Sequence, residues 1–97
     1  MDRRLIVEAE NSTFTVSVPG DGAPHLLVTA VKVKTEVVIT CGFGAAVVEV
    51  SMRENGPDST WVPLPGVSTW TKKLKVGEML FVRSDLATRV PVALGEP

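Results

Sequence analysis

The chain has 97 residues, enough for one domain over residues 1–97 and too few for two. Hydrophobic residues make up 44% and charged residues 22%, so we expect a partner or another copy to cover part of the apolar surface. Ten basic and eleven acidic residues are spread along the chain and give a net charge of −1, which argues against nucleic-acid binding.

Targeting signals and disulfides are also missing from the sequence. Cys41 is the single cysteine, so no intramolecular disulfide can form, which favours synthesis inside a cell. After Arg3 and Arg4 the apolar stretch ends at Glu8, too early for a signal peptide. No segment approaches the roughly 20 apolar residues of a membrane span. The sequence therefore predicts a protein made in the cytoplasm, with no membrane partner.

Residue preference predicts an all-β fold. The chain contains 17 Val, nine Thr and two Ile, and these β-branched side chains suit a pleated sheet better than a helix. No window carries the apolar spacing of a helix of more than one or two turns.

The first strands are marked by alternation of apolar and polar residues. In "FTVSV" one face carries Phe14, Val16 and Val18, and "PGDG" then breaks the strand. Period two continues from Leu27 to Cys41. A straight strand of that length would span roughly 50 Å, too long for a domain about 30–35 Å across. We therefore expect a long bent strand or one that crosses between sheets; a turn near residues 34–36 and a projecting strand are the alternatives.

The second half of the chain repeats this pattern. "CGFGAA" predicts a bulge or loop, and "AVVEVSM" a strand with Ala46, Val48, Val50 and Met52 inward. Asn55-Gly56 predicts a hairpin turn into the return strand "TWVPLP".

Prolines and glycines organise the remaining strands. Pro63 and Pro65 predict an edge strand, because proline donates no ladder hydrogen bond. "TKKLKV" leads through Gly77 into "EMLFVRS", and Pro91 in "TRVPVAL" predicts a second edge strand. The sum is about seven to eight strands in a small antiparallel β-sandwich or barrel, immunoglobulin-like or jelly-roll-like.

Groups for catalysis are few. His25 is the only imidazole, and nothing in the sequence brings it to Cys41. Zinc binding needs four ligands, whereas these two are the only His and Cys in the chain. Gly42 to Ala46 lacks the third glycine and the following helix of a dinucleotide loop. A pair of carboxylates for glycoside hydrolysis stays open among Asp21, Glu49, Glu54, Asp58, Glu78 and Asp85. We predict no enzymatic activity, no cofactor and no metal.

The two tryptophans are the largest side chains available for binding. Trp61 and Trp70 can each stack on a sugar or fill a partner pocket, and we expect at least one of them in the core. A carbohydrate-binding or adhesion module that uses both rings is the alternative function.

The segment "VEVSMRENGPDSTWVPLPG…TKKLKVGEMLFVRSD" resembles a hairpin module of small β-sandwich domains in tailed-bacteriophage particles. The resemblance covers about Val47 to Asp85; immunoglobulin-like and fibronectin-like domains contain similar stretches. It implies a capsid decoration or cement protein, or a small tail component, located in the virion and binding its surface symmetrically without catalysis.

The first prediction of function is thus a virion protein that forms homo-oligomers and binds a capsid or tail protein. Its mechanism would be burial of apolar surface between copies, with exchange of a strand or terminus. The expected partner-binding residues lie in the N-terminal arm, in the hairpin tip from Pro57 to Trp61 and on the second tryptophan: Leu5, Ile6, Val7, Pro57, Trp61 and Trp70.

Overall fold

The computed structural model describes residues 12–30 and 34–95, which form eight strands and a single-turn 3-10 helix, Asp58–Thr60. No α-helix occurs among these residues, so the predicted all-β fold is confirmed. The strands are β1 (Ser12–Val18), β2 (His25–Thr29), β3 (Thr35–Gly42), β4 (Val48–Ser51), β5 (Val62–Pro63), β6 (Val67–Leu74), β7 (Met79–Ser84) and β8 (Thr88–Gly95).

The strands form two four-stranded antiparallel sheets that pack face to face. Sheet one has the order β1-β8-β3-β6, and sheet two has the order β2-β7-β4-β5. This arrangement is a small β-sandwich, which is the first of the two architectures that the sequence predicted.

The core lies between the inner faces of the sheets, because side chains alternate along each strand. In β3, Val37 and Ile39 are fully buried, while Val38 between them is only half-buried. Alternation in β4 buries Val48 and Val50 as predicted. The buried hydrophobic cluster comprises Val18, Leu27, Val28, Ala30, Val37, Ile39, Cys41, Phe43, Val48, Val50, Leu64, Leu74, Leu80, Val82, Val90, Val92 and Leu94.

The long alternating stretch from Leu27 to Cys41 crosses between the sheets. β2 ends at Thr29 in sheet two and β3 begins at Thr35 in sheet one. The longest dimension of the domain is 33 Å, so one straight strand of that length does not fit. The alternative of two strands is correct in part: β2 and β3 are separate strands, but no turn lies at Thr35 and Glu36, which already belong to β3. The pairing with β7 shifts between Leu26 and Val28, and this bulge turns both Leu27 and Val28 into the core.

The prolines gave one correct and one incorrect prediction. β5, with Pro63, is an edge strand of sheet two, as expected. Pro91 does not mark an edge, because β8 lies between β1 and β3. Its ladder with β3 runs only from Val92 to Gly95, so Pro91 lies beyond the last pair on that side. Because proline donates no ladder hydrogen bond, its strand must be unpaired on one side at that residue. Here this condition is met within an interior strand.

The connection between β4 and β5 is longer than the predicted turn. The two strands do pair antiparallel, but residues 52–61 join them through a turn at Glu54-Asn55 and the 3-10 helix. The positive-φ residues of the described chain include neither Asn55 nor Gly56, so the two-residue type I′ turn is absent there. Gly77, by contrast, has φ 90 in the β6–β7 turn, where glycine fits best.

Candidate functional site

The loop 52–61 covers the outer face of sheet two with Trp61. The Trp61 side chain is only 4% exposed. The guanidinium carbon of Arg83, an outward-facing residue of β7, lies 4.3 Å from the centre of its ring, a cation–π stack. The ring thus packs within the protein, and the partner contact expected of Trp61 stays a prediction.

Arg83 ties this loop to the sheet through charge as well as stacking. Its Nε donates to Glu49 Oε1 at 2.9 Å, across the β4–β7 pairing, and its Nη2 donates to Asp58 Oδ1 at 3.4 Å. Asp58 belongs to the loop, so one side chain joins the loop, β4 and β7. This arrangement fixes the loop on the face.

The interior of the loop explains two of its residues. The Pro57 carbonyl accepts hydrogen bonds from the Thr60 amide at 2.8 Å and the Thr60 hydroxyl at 2.7 Å. Gly56 lies so close to Thr60 that a Cβ at this position would overlap the hydroxyl. Pro57 is exposed, so its predicted role in partner contact stays a prediction.

A second feature, the edge cleft, opens between the sheets where β6 faces β4 and β5. Its volume is about 100 Å³, and its lining residues are Val50, Ser51, Met52, Thr60, Val62, Trp70, Lys72 and Leu80. Trp70 is half-buried and packs against the core, and Lys72 is exposed at the mouth. The cleft therefore combines an apolar floor with one indole and one ammonium group.

The third feature is the sheet-one outer face, formed by the outward positions of β1, β8, β3 and β6. Five threonines lie on it, all exposed: Thr13, Thr15, Thr40, Thr69 and Thr71. The other uncharged positions are Ser17, Val38, Gly42, Val67, Pro91, Ala93 and Gly95. Its charged residues lie at the two ends, Arg89 at one and the cross-strand neighbours Glu36 and Lys73 at the other. No described side chain on this face is aromatic.

A groove of about 230 Å³ interrupts this face where β3 and β8 separate. Thr15, Thr40 and Pro91 are among the residues that line it. The groove lies around the last β3–β8 pair, Ile39 with Val92, next to the point where Pro91 cannot donate to a continued ladder.

The carboxylates considered for catalysis mostly make structural bonds. Besides Glu49 and Asp58, Asp85 accepts the Val47 amide at 2.7 Å, and Glu78 accepts the Lys75 amide at 2.7 Å. Among the described residues no cluster of three or more His, Cys, Asp or Glu forms a metal site.

His25 and Cys41 lie in different sheets. His25 Nε2 is 3.2 Å from Asp21 Oδ1. The Ala23 amide, followed by the His25 side chain, lowers the pKa of Asp21. Cys41 is buried in β3, and that burial raises the pKa of its thiol.

The predicted contact residues do not form one surface. Leu5, Ile6 and Val7 lie outside the described residues. Trp61 packs on the outer face of sheet two, whereas Trp70 faces the space between the sheets, so the two rings form no common platform.

Sequence reasoning missed three elements of these surfaces: the Arg83 stack, Lys72 in the cleft and the threonine face. Alternation in "FTVSV" signals the outward Thr15 and Ser17. Nothing local in the sequence signals the contact between Trp61 and Arg83, which are 22 positions apart.

Comparisons with known proteins give no relative: no family model, no curated protein and no solved structure matches the chain. Within residues 12–30 and 34–95, no helix has the length and apolar character required to cross a membrane.

Proposed function

We propose that this protein is a non-enzymatic assembly module that binds other copies of itself through the sheet-one outer face. In line with the resemblance to phage domains, we further propose that it acts in a virion, on a capsid or tail protein. The observation that carries the proposal is the contrast between the two sheets: the chain's own loop covers one outer face, whereas the other, the bare face, has mostly exposed outward side chains on its described strands.

The composition of the bare face supports sheet-to-sheet association. Its centre has threonines and other short side chains and no charge, so packing against a second sheet would desolvate few strongly hydrated groups. Short β-branched side chains also lose little conformational freedom when they are covered.

The charges at the ends support a two-fold arrangement. A two-fold axis that reverses the strand direction would place Arg89 of one copy near Glu36 of the other. Four strands at about 4.8 Å spacing and about 26 Å long give roughly 500 Å² per copy. The total of about 1,000 Å² reaches the lower bound of specific interfaces.

Light scattering after gel filtration tests the self-association. We expect wild-type protein to have at least twice the mass of one chain at micromolar concentration, and Thr40→Arg to shift it towards the monomer by placing a charge at the centre of the face. Ser59→Arg is the matched control, because it adds the same charge on the loop over sheet two. A wild-type monomer at all concentrations, or equal behaviour of the two variants, would contradict the proposal.

The virion part has its own test. It predicts that the gene for this chain lies beside a major capsid or tail gene. A neighbourhood without particle genes would contradict the virion assignment and leave the self-association proposal in place.

Carbohydrate binding through Trp61 and Trp70 has no comparable support. Trp61 is buried beneath Arg83, and a single half-buried indole gives little stacking surface. The alternative of a carbohydrate-binding or adhesion module that uses Trp61 and Trp70 stays a prediction, which fluorescence titration against a glycan panel can check.

A further inference from the structure

The edge of β6 is suited to strand addition. β6 has eight residues, with a positive φ only at Ser68 near its start, and among the described strands pairs only with β3. The two edges of sheet two are poorer acceptors, because β5 has two residues including Pro63 and β2 contains a bulge. Strand addition to this protein therefore favours sheet one.

The edge cleft lies directly beside this edge. A strand added to β6 would turn alternate side chains inward, next to Trp70 and Lys72, whose positions on β6 face the same way. Leu80 and Val50 contribute to the cleft lining and are nearly inaccessible themselves. The cleft volume of about 100 Å³ is enough for one aliphatic side chain.

We propose that β6 and the edge cleft bind residues 5–10 of a second copy by strand addition. This inference rests on the proposed self-association, for which it names a second contact. The segment reads Leu-Ile-Val-Glu-Ala-Glu, so one set of alternating positions is apolar, and the other contains Glu8 and Glu10. The apolar set suits the cleft, beside Trp70 and Lys72, and the glutamates face the other way, where the ammonium group of Lys73 lies.

The same copy cannot place its own Glu8 and Glu10 beside β6. The pairings Ser12 with Leu94, Leu94 with Val37 and Val37 with Lys72 place Ser12 and Lys72 in one row across sheet one. A strand beyond β6 would lie four strand spacings from β1, about 19 Å. From Ser12, an extended chain reaches at most about 7 Å by residue 10 and about 14 Å by residue 8. Both glutamates beside β6 must therefore come from another molecule.

A charge exchange in the full-length protein tests this contact. We expect Glu8→Lys/Glu10→Lys and Lys73→Glu each to weaken self-association about tenfold or more, as like charges would meet. The three changes combined in one chain should restore the association. Arg53→Glu makes the same charge change as Lys73→Glu at another exposed position and should leave it unaltered. Equal effects of this control and Lys73→Glu, or no recovery in the combined variant, would overturn the inference.

Tryptophan emission gives a readout that does not depend on oligomer mass. A synthetic peptide of residues 1–11 is titrated into the full-length Glu8→Lys/Glu10→Lys variant, whose own arm competes poorly. We expect a saturable blue shift as Trp70 is covered, and none with a scrambled peptide. If neither peptide shifts the emission, or if both shift it equally, the proposed strand-addition site is refuted.

The two readouts separate the two proposals. If wild-type protein is oligomeric but neither the peptide nor the charge exchange has its expected effect, the assembly function stands and the β6 site is refuted. If wild-type protein is a monomer but the peptide binds, the assembly function is refuted and the β6 site stands as a binding site for this segment.

Discussion

The outer faces of the two sheets differ in what the chain places over them. Sheet two carries Phe81 and Arg83 outward, and Phe81 is nonetheless 6% exposed. Its loop supplies Trp61, which is buried against the same face. Sheet one carries threonines and small residues outward and has no such loop over its described strands. A face of large side chains is stabilised by a cover, whereas a face of short ones can remain in water and meet another molecule.

The distribution of charge follows the same division. Among described residues, the ion pairs of Arg83 with Glu49 and Asp58 and the hydrogen bond between His25 and Asp21 all belong to sheet two or its loops. Electrostatic cross-links thus reinforce the covered face, and the uncharged centre of the other face stays free of them.

The largest expected effect comes from removing the cover. Trp61→Ala should lower the free energy of unfolding by about 3–5 kcal/mol, because a buried indole and its stack on Arg83 are lost. Thr15→Ala on the bare face should change it by no more than about 0.5 kcal/mol. Urea denaturation followed by circular dichroism measures both. Similar losses for the two variants would remove the distinction between the faces.

A smaller effect is expected inside the loop. Gly56→Ala should destabilise by about 1–3 kcal/mol, since the added methyl group overlaps Thr60. Gly66→Ala is the matched control: its Cβ meets no atom within 4 Å, so we expect no loss and a gain of up to about 1 kcal/mol. If both variants have the stability of wild type in thermal unfolding, the close packing of the loop is not required.

The smallest expected effect concerns the edge of the bare sheet. Ser68 in β6 is the one described non-glycine residue with positive φ, at 100. Ser68→Gly should raise stability by up to about 1 kcal/mol, because glycine adopts this conformation without strain. Ser17→Gly, in regular strand β1, should instead lower it by about 0.5–1 kcal/mol. Differential scanning calorimetry compares the pair, and a loss in both would argue against strain at Ser68.

Alternation predicted much of the fold from the sequence, because burial of one side of a strand constrains every second residue. It placed Val48 and Val50 inward and Thr15 outward, while the missing amide of Pro63 predicted the edge strand. It did not assign strands to sheets, since β2 and β3 share one alternating stretch yet lie in different sheets.

The surfaces were harder to predict than the strands. Burial of Trp61 depends on a loop folding onto Arg83, a residue distant in the chain. The edge cleft depends on how far apart two edge strands lie, which no local pattern encodes. Pro91 misled the assignment because its unpaired side arises from a ladder that stops early.

The position of β8 has a consequence for how the chain folds. β8 is the last strand in the described sequence, yet it lies in the interior of sheet one and joins β1 to β3. Sheet one therefore cannot close during synthesis until residues 88–95 have left the ribosome, and its early strands must wait with their apolar sides exposed. Pairing of β1 with β8 connects the first and last described strands, and such long-range pairing slows folding. Until that last strand is inserted, β1 has no neighbour in its own sheet among the described strands, and the growing chain is most exposed to misassociation.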